Sequence, residues 1–267
     1  FSNNKAAVCR YNNSNGIFTI SEYKARTNSN NKDIVSMTSG VDPKFKNALF
    51  TILNRATADD IEVIDTIAVG TNPYYPTYES ANHRLWIGNS GGSTVSVIDI
   101  ETNIVIQTIA VQFGPRNPTY DPDTNRMYCS CTSGYVVVVD CETFAILATI
   151  MSGATGCRPG TYDPINLRMY VPNTVGTDTV SVISTATNTI IATISSVPDG
   201  ITPLYDPVYQ RMYFGSATSP AINVVSTESN TVVETITAIG TPNNGCYDPI
   251  TEKMFWANGS GSSTVSV

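Results

Sequence analysis

Acidic and basic residues recur through this sequence at a fixed offset, and that pairing is the first arrangement in it able to do chemistry. Asp42, Glu79, Asp121, Asp163, Asp206 and Asp248 follow one another at steps of 37, 42, 42, 43 and 42 residues, and all but Glu79 precede a proline. Five residues after an anchor comes Arg84, Arg126, Arg168, Arg211 or Lys253; only the first anchor, with Asn47 there, departs. A group that acts on one substrate need not recur in every repeat. The Asp-Pro pairs Asp121/Arg126, Asp163/Arg168, Asp206/Arg211 and Asp248/Lys253 therefore read as structural turns, tied by side-chain hydrogen bonds in which Asp accepts from local N–H groups.

Other reactive patterns are sparse. The single histidine, His83, lies in the turn "ESANHRLW", which excludes a His-rich metal or haem site and leaves a triad one base. "GNSGG", Gly88 to Gly92, fits G-x-S-x-G, but a strand pattern follows where a nucleophile elbow needs a helix. "SNNK", at Ser2 and again at Ser29, has the Ser-x-x-Lys spacing without helical context or a Lys-Thr-Gly partner. "DPDTN" (Asp121, Asp123, Asn125) opens like a calcium loop, yet Arg126 stands where glycine is needed and Thr132 where glutamate is needed. No phosphate loop is present. The expectation is no catalytic residue, no metal and no cofactor.

Composition narrows the partners. Charged residues are 14 % of the chain and the net charge is −7, with the 15 basic residues scattered, so the footprint for a phosphate backbone is missing and no nucleic-acid partner is expected. The longest pure apolar run, Val136 to Val139, is far short of the roughly 18 residues of a membrane span, so no membrane insertion by this segment is expected. The N-terminus "FSNNKAAVCRYNN" reads as processed or truncated. Six cysteines without Cys-x-x-Cys spacing read mostly as small buried hydrophobes; their disulfide state stays open. Sequons at Asn12 and Asn258 would accept glycans only in a secretory setting.

The elements that must position these residues are strands. Each unit alternates β-branched residues at period two ("TVSVID", "YVVVVD", "TVSVIS", "AINVVS"), bounded by turns such as "ETN" and "ATN", with no sustained helical period. One strand before Asp-Pro, one around "RMY", one at "TVSVID" and one at "TIIATI" make four antiparallel strands in about 42 residues, the period of a propeller blade. An all-β propeller is expected.

The stretch "YDPINLRMYVPNTVGTDTVSVISTATNTIIATI" resembles the YVTN-type β-propeller repeat, typified by archaeal surface-layer propeller domains, with "YVPN" in place of the eponymous motif. The resemblance covers about Asp42 to Val267. It implies a ring of such blades, usually seven, in proteins that are mostly cell-surface or binding modules and share no catalytic residues.

Residues 1–267 are accordingly expected to form a single propeller domain, with residues 1–41 an incomplete N-terminal blade and residues 248–267 an incomplete C-terminal one. Seven blades are expected and six are the alternative, the ring closing with material from both ends of the chain or of a larger one. Between "IEVID" and "TIAVG" a strand or turn is missing from the first interval, giving a three-stranded blade or an edge open to a partner strand.

Variable loops on a rigid scaffold are the usual seat of recognition. Antiparallel order places the loops between second and third strands, and the blade connections, on one face; these vary, whereas the turns of the other face repeat. The candidate binding residues on the loop face are Phe113, Arg116, Arg158, Asn173, Asp178 and Asp199. The expected function is a non-enzymatic structural or interaction module on a cell or virion surface, with a protein or glycan partner, within a larger chain or assembly. The alternative is a propeller enzyme, lactonase-like or another hydrolase, with a carboxylate-bound metal in its channel. Against that, the strands "NPTY", "PGTY", "TPLY" and "NGCY" offer Thr, Gly and Leu where ligands would stand.

Overall fold

The computed structural model describes residues 9–12, 17–20, 26–27, 33–34, 63 and 65–267, apart from 154, 202, 260 and 261. The chain divides into two units, Phe1–Ile64 and Asp65–Val267. In the first, β1 (Cys9–Asn12) pairs antiparallel with β2 (Ile17–Ile20), and β3 (Arg26–Thr27) with β4 (Asp33–Ile34). The Asp42 anchor and Asn47 lie outside the described residues, as does most of "IEVID"; "TIAVG" after it forms no strand.

The second unit is built of repeating antiparallel sheets. β5 (Pro73–Glu79), β6 (Arg84–Asn89), β7 (Thr94–Asp99) and β8 (Ile104–Ala110) pair in that order as the first blade. The second is β9 (Thr119–Asp121), β10 (Arg126–Cys131), β11 (Tyr135–Asp140) and β12 (Ile146–Met151). A short extra strand, β13 (Thr155–Cys157), joins the third blade of β14 (Thr161–Asp163), β15 (Arg168–Val175), β16 (Thr179–Ser184) and β17 (Thr189–Ile194). β18 (Leu204–Asp206), β19 (Arg211–Gly215), β20 (Ala221–Ser226) and β21 (Thr231–Thr237) form the fourth. Among the described residues the fifth has three strands, β22 (Thr241–Asp248), β23 (Lys253–Gly259) and β24 (Val265–Ser266).

Innermost strands of successive blades, β5, β9, β14, β18 and β22, lie beside one another. The period-two alternation decides what lies between blades. Val137 and Val139 of β11 pack with Trp86, Val95 and Val97 of the first blade, while Val136 and Val138 point the other way, to Met169, Val171 and Ile183 of the third. Both faces of a third strand are thus buried, which is why "YVVVVD" is an unbroken apolar run. The same arrangement sets Tyr170, Val180 and Val182 against Met212, Phe214 and Val225 of the fourth blade.

Turn chemistry explains the recurring asparagines. Asn103, Asn125, Asn188 and Asn230 have φ between 52° and 58°, the left-handed region that asparagine enters at least cost after glycine. Cysteines 129, 131, 141 and 157 are buried and unbridged; Cys246 is exposed.

Candidate binding face

The repeated acids are consumed within their turns. Asp121 accepts from the Asp123 and Thr124 N–H groups and from Thr124 Oγ1. Asp163 accepts from the N–H groups of Ile165 and Asn166 and from Asn166 Nδ2; Asp206 accepts from those of Val208 and Tyr209. Asp248 takes the Ile250 N–H and Thr251 Oγ1, and Glu79 takes the Asn82 N–H through Oε1 while its Oε2 is buried without a hydrogen-bond partner. The second acid of the calcium-like opening is engaged too, Asp123 Oδ2 accepting from the Tyr162 hydroxyl at 2.7 Å.

The arginines do something else. Arg84 Nη1 donates to the Cys141 carbonyl of the second blade at 2.7 Å, Arg126 Nη1 to Thr185 of the third at 2.7 Å, and Arg168 Nη1 to Thr227 of the fourth. The turns are tied by the acids, and these three arginines tie blade to blade: register places Arg126 opposite both Asp121 and Asp140, and its length carries the guanidinium on to the neighbouring sheet. Tyrosines two residues on act beside them, Tyr128 donating to Asn188 Oδ1 at 2.8 Å and Tyr170 to Asn230 Oδ1 at 2.7 Å. At the first interface Trp86 replaces the tyrosine and Phe144 replaces the turn asparagine. The rings lie 6.0 Å apart and the Arg84 guanidinium sits 4.9 Å from the Phe144 centroid.

Inner strands carry a second set of ties, at the threonines read only as poor metal ligands. Thr77 Oγ1 donates to the Pro118 carbonyl, Thr119 Oγ1 to Gly160 at 3.0 Å and Thr161 Oγ1 to Pro203 at 2.6 Å. Their signal was the 42-residue recurrence of Thr before Tyr.

The loop face is bound together through its backbone. Gly114 N–H donates to Gly92, Thr132 N–H to Gly114 and Gly156 N–H to Thr132, at 2.9, 2.9 and 2.8 Å, so loops of three blades form one relay. Gly114 has φ +72°, and a Cβ there would stand 1.9 Å from Thr132 Oγ1, so only glycine fits. Ser90, the apparent nucleophile of "GNSGG", donates its hydroxyl to the Asn72 carbonyl, and β7 follows it. His83 is exposed at φ 54°, with Nδ1 3.0 Å from the Tyr78 hydroxyl.

The candidate residues separate. Phe113 is 59 % exposed. Asp178 and Asp199 come together, the Asp199 N–H donating to Asp178 Oδ1 at 3.3 Å, and Asp199 Oδ2 accepts from Thr218 Oγ1. Asn173 is a correction: it is buried, donating through Nδ2 to Ser181 Oγ at 2.9 Å and Thr179 Oγ1 at 3.4 Å and accepting from Cys157 Sγ, so it is not a recognition residue. Asn89 and Asn258 make the same bonds to Thr94 and Ser96 and to Thr264 and Ser266. For Asn258 these occupy the nitrogen that would carry a glycan. Asn12's side chain lies outside the description.

Arg116 and Arg158 share one register position. The Arg116 N–H donates to Ser130 and the Arg158 N–H to Pro172, both at 2.9 Å; Tyr74 pairs with Gly88 and the Ile201 N–H bonds Gly215 at the matching places in the first and fourth blades. The Arg116 guanidinium lies 5.4 Å from the Tyr74 ring centroid. Burial and the neighbouring Arg116 charge hold the Arg158 pKa below its ordinary value, with Tyr74 and Asp199 opposing. Tyr74 was not among the expected residues, because in "NPYYP" it reads as strand and its counterparts in the next three blades, Arg116, Arg158 and Ile201, are not aromatic.

A cavity of about 700 Å³ lies between the fourth and fifth blades, lined by Tyr213, Ile222, Ile236, Trp256 and Val265, where the other blades carry their fourth strand. Among the described residues no group of three or more His, Cys, Asp or Glu could hold a metal, and no helix is long and apolar enough to cross a membrane.

No protein-family model matches the sequence, and no curated protein does. Solved structures are similar. One is hydrazine synthase of Kuenenia stuttgartiensis, with a TM-score of 0.62, 20 % identity and coverage of 73 % of this chain and 58 % of that one. Another is a chain of a mitotic checkpoint complex, at 0.62, 13 %, 71 % and 58 %. A third is the β-propeller domain of Cps50 (Swd1) from Myceliophteria thermophila, at 0.60, 12 %, 73 % and 65 %. The chain thus spans 58 to 65 % of the length of these structures. Likeness at such identity is one of fold, and with the antiparallel four-stranded blades it makes this chain a β-propeller.

Proposed function

We propose that this propeller is a non-enzymatic interaction module that binds a protein partner through its loop face, on a cell or virion surface and as part of a larger chain or assembly. The observation that carries the reading is an asymmetry of spent and unspent groups. On the turn face Asp121, Asp163, Asp206 and Asp248 are committed to their turns, and Arg84, Arg126, Arg168, Tyr128 and Tyr170 to neighbouring blades. On the loop face the backbone relay fixes the loops while Phe113, Arg116 and Arg158 keep side-chain capacity for a partner, and a preorganised surface loses little freedom on binding.

Kinship with YVTN-type repeats, and with it a seven-bladed ring, belongs to this proposal and rests on the 42-residue period and the Asp-Pro and "RMY" text. A non-enzymatic role is supported by the donor inventory: Ser90 is bonded to backbone, His83 is paired with Tyr78, and Asp121, Asp163, Asp206 and Asp248 accept from their own turns.

Photo-crosslinking amino acids at Phe113 on the loop face and at Ile165 on the turn face test it. Capture of the same protein from Phe113 and not from Ile165 is expected, with Phe113→Ala raising the dissociation constant of that identified partner about tenfold or more. Capture from Ile165 alone, or capture of a glycan in place of a protein, would overturn the reading.

A further inference from the structure

We infer that Arg116 and Arg158, flanked by Tyr74, form a carboxylate-binding site at the loop-face end of the inner strands, suited to an acidic side chain of a protein partner. The inference rests on the proposed loop-face reading and gives that face its chemistry.

Three observations carry it. The two arginines occupy the same register position in adjacent blades, so the repeat itself brings them close enough for the Arg116 charge to act on Arg158. Their terminal Nη groups make no hydrogen bond among the described residues, and Nε is used in Arg158 alone. Arg116 Nε is buried without a hydrogen-bond partner, its guanidinium is placed only by the Tyr74 ring, and Arg158 uses Nε on Thr174 Oγ1 at 3.2 Å. Neither arginine forms a side-chain ion pair among the described residues or reaches a carbonyl of the next blade, in contrast to Arg84, Arg126 and Arg168, each of which donates through Nη1 to such a carbonyl. Finally, the acid nearest in charge, Asp199, is turned to Thr218 Oγ1 and opposes only part of the paired positive charge.

Two like charges held together in partial burial are destabilised until an anion lies between them, and a carboxylate fits two planar donor forks. Tyr74 adds an aromatic wall against which the first guanidinium is already oriented, so an incoming carboxylate meets a fixed donor. Ile201, the next residue in the series, supplies no charge, so the paired charge is confined to two blades.

The test uses the whole chain, ¹⁵N-labelled, with the arginine Nε–H resonances assigned through Arg116→Lys and Arg158→Lys. The probes are acetyl-Gly-Glu-Gly-amide, its Gln counterpart and inorganic phosphate. Saturable shifts of both resonances by the Glu peptide are expected, with none by the Gln peptide and a marked loss of binding as salt is raised. Arg116→Gln or Arg158→Gln should each weaken the Glu peptide on the order of tenfold, and Arg→Lys should recover part of that, because charge returns without the fork. The proposal is overturned by no saturable shift with the Glu peptide, by equal shifts with Glu and Gln, or by saturation with phosphate alone. The Glu-versus-Gln comparison needs no variant and stands even if a substitution unfolds the protein. If the identified partner depends on Phe113 but ignores Arg158→Gln, only the carboxylate site falls; if the Glu peptide binds while the partner is captured from Ile165, only the loop-face reading falls.

Discussion

The two faces of this propeller are made from the same polar residue types put to opposite use. On the turn face Asp163 is fully buried and accepts three hydrogen bonds within four residues, and Arg168 reaches across to the fourth blade. On the loop face Asp199 is only half-buried and Arg158 keeps terminal nitrogens to spare. A repeated polar residue is thus architectural where its bonds close inside the repeat, and available where the repeat breaks and leaves them open.

The largest effect should come from the closed side. Asp163→Ala strips acceptors from two turn N–H groups and an amide, and should cost about 3 kcal/mol, or roughly 10 °C in Tm for a domain of this size. Asp199→Ala should cost less than about 0.5 kcal/mol. Thermal unfolding of the two variants decides the contrast, and equal losses would break it.

The blade interfaces sharpen the same point. Two of them join Tyr to Asn (Tyr128 to Asn188, Tyr170 to Asn230), whereas the first joins Trp86 to Phe144 with Arg84 over the ring. Phe144→Asn alone should cost about 1–2 kcal/mol through lost ring contacts. Adding Trp86→Tyr should return at least about 0.5 kcal/mol by recreating the hydrogen bond of the other interfaces, measured as a double-mutant cycle in denaturant. An additive result would mean that the two positions do not form a unit.

This pairing shows how far the sequence could be read. Period-two text and Asp-Pro turns located the strands of four blades, because strand and turn chemistry are local. What lay across blades was hidden: Arg126 finds its acceptor 59 residues further on, and no local pattern shows that reach. Traces existed, since Trp86 and Phe144 depart from the repeat together. Asn89, Asn173 and Asn258 each precede a Thr-x-Ser, and where Cys131 replaces the asparagine the following strand has Tyr-x-Val. Asn173 was misread as a loop residue because β15 runs on through it to Val175. Tyr74 could not be found at all, its role depending on an arginine of the next blade.

Smaller effects concern the thiols. Burial pushes Cys131 up to about 12 and drives Cys129 and Cys141 up as well, so these sulfurs stay protonated and unreactive near neutrality. A thiol-titrating disulfide reagent should count one fewer native thiol in Cys246→Ser, whereas Cys131→Ser should alter the count only after unfolding. Reaction of Cys131 in the folded protein would show the core between the first and second blades opening readily.

The weakest effect lies at the exposed rim of the turn face. Hydrogen bonds from the Thr143 N–H and hydroxyl and the Glu142 N–H lower the Asp140 pKa below its ordinary 3.8, and Thr251 and Ile250 do the same for Asp248. A carboxylate depressed by folding adds stability that is complete above its unfolded pKa and is lost as pH falls through the folded one. Between neutrality and about pH 5 these groups should therefore leave stability flat, with a decline beginning below 3.8. Asp140→Asn should lower stability slightly at pH 7 and flatten the acid limb, because its amide cannot lose the charge that the turn favours. Denaturant midpoints at pH 7 and pH 3 for the two proteins measure this, and a variant that loses as much stability on acidification as the parent would remove Asp140 from the acid response.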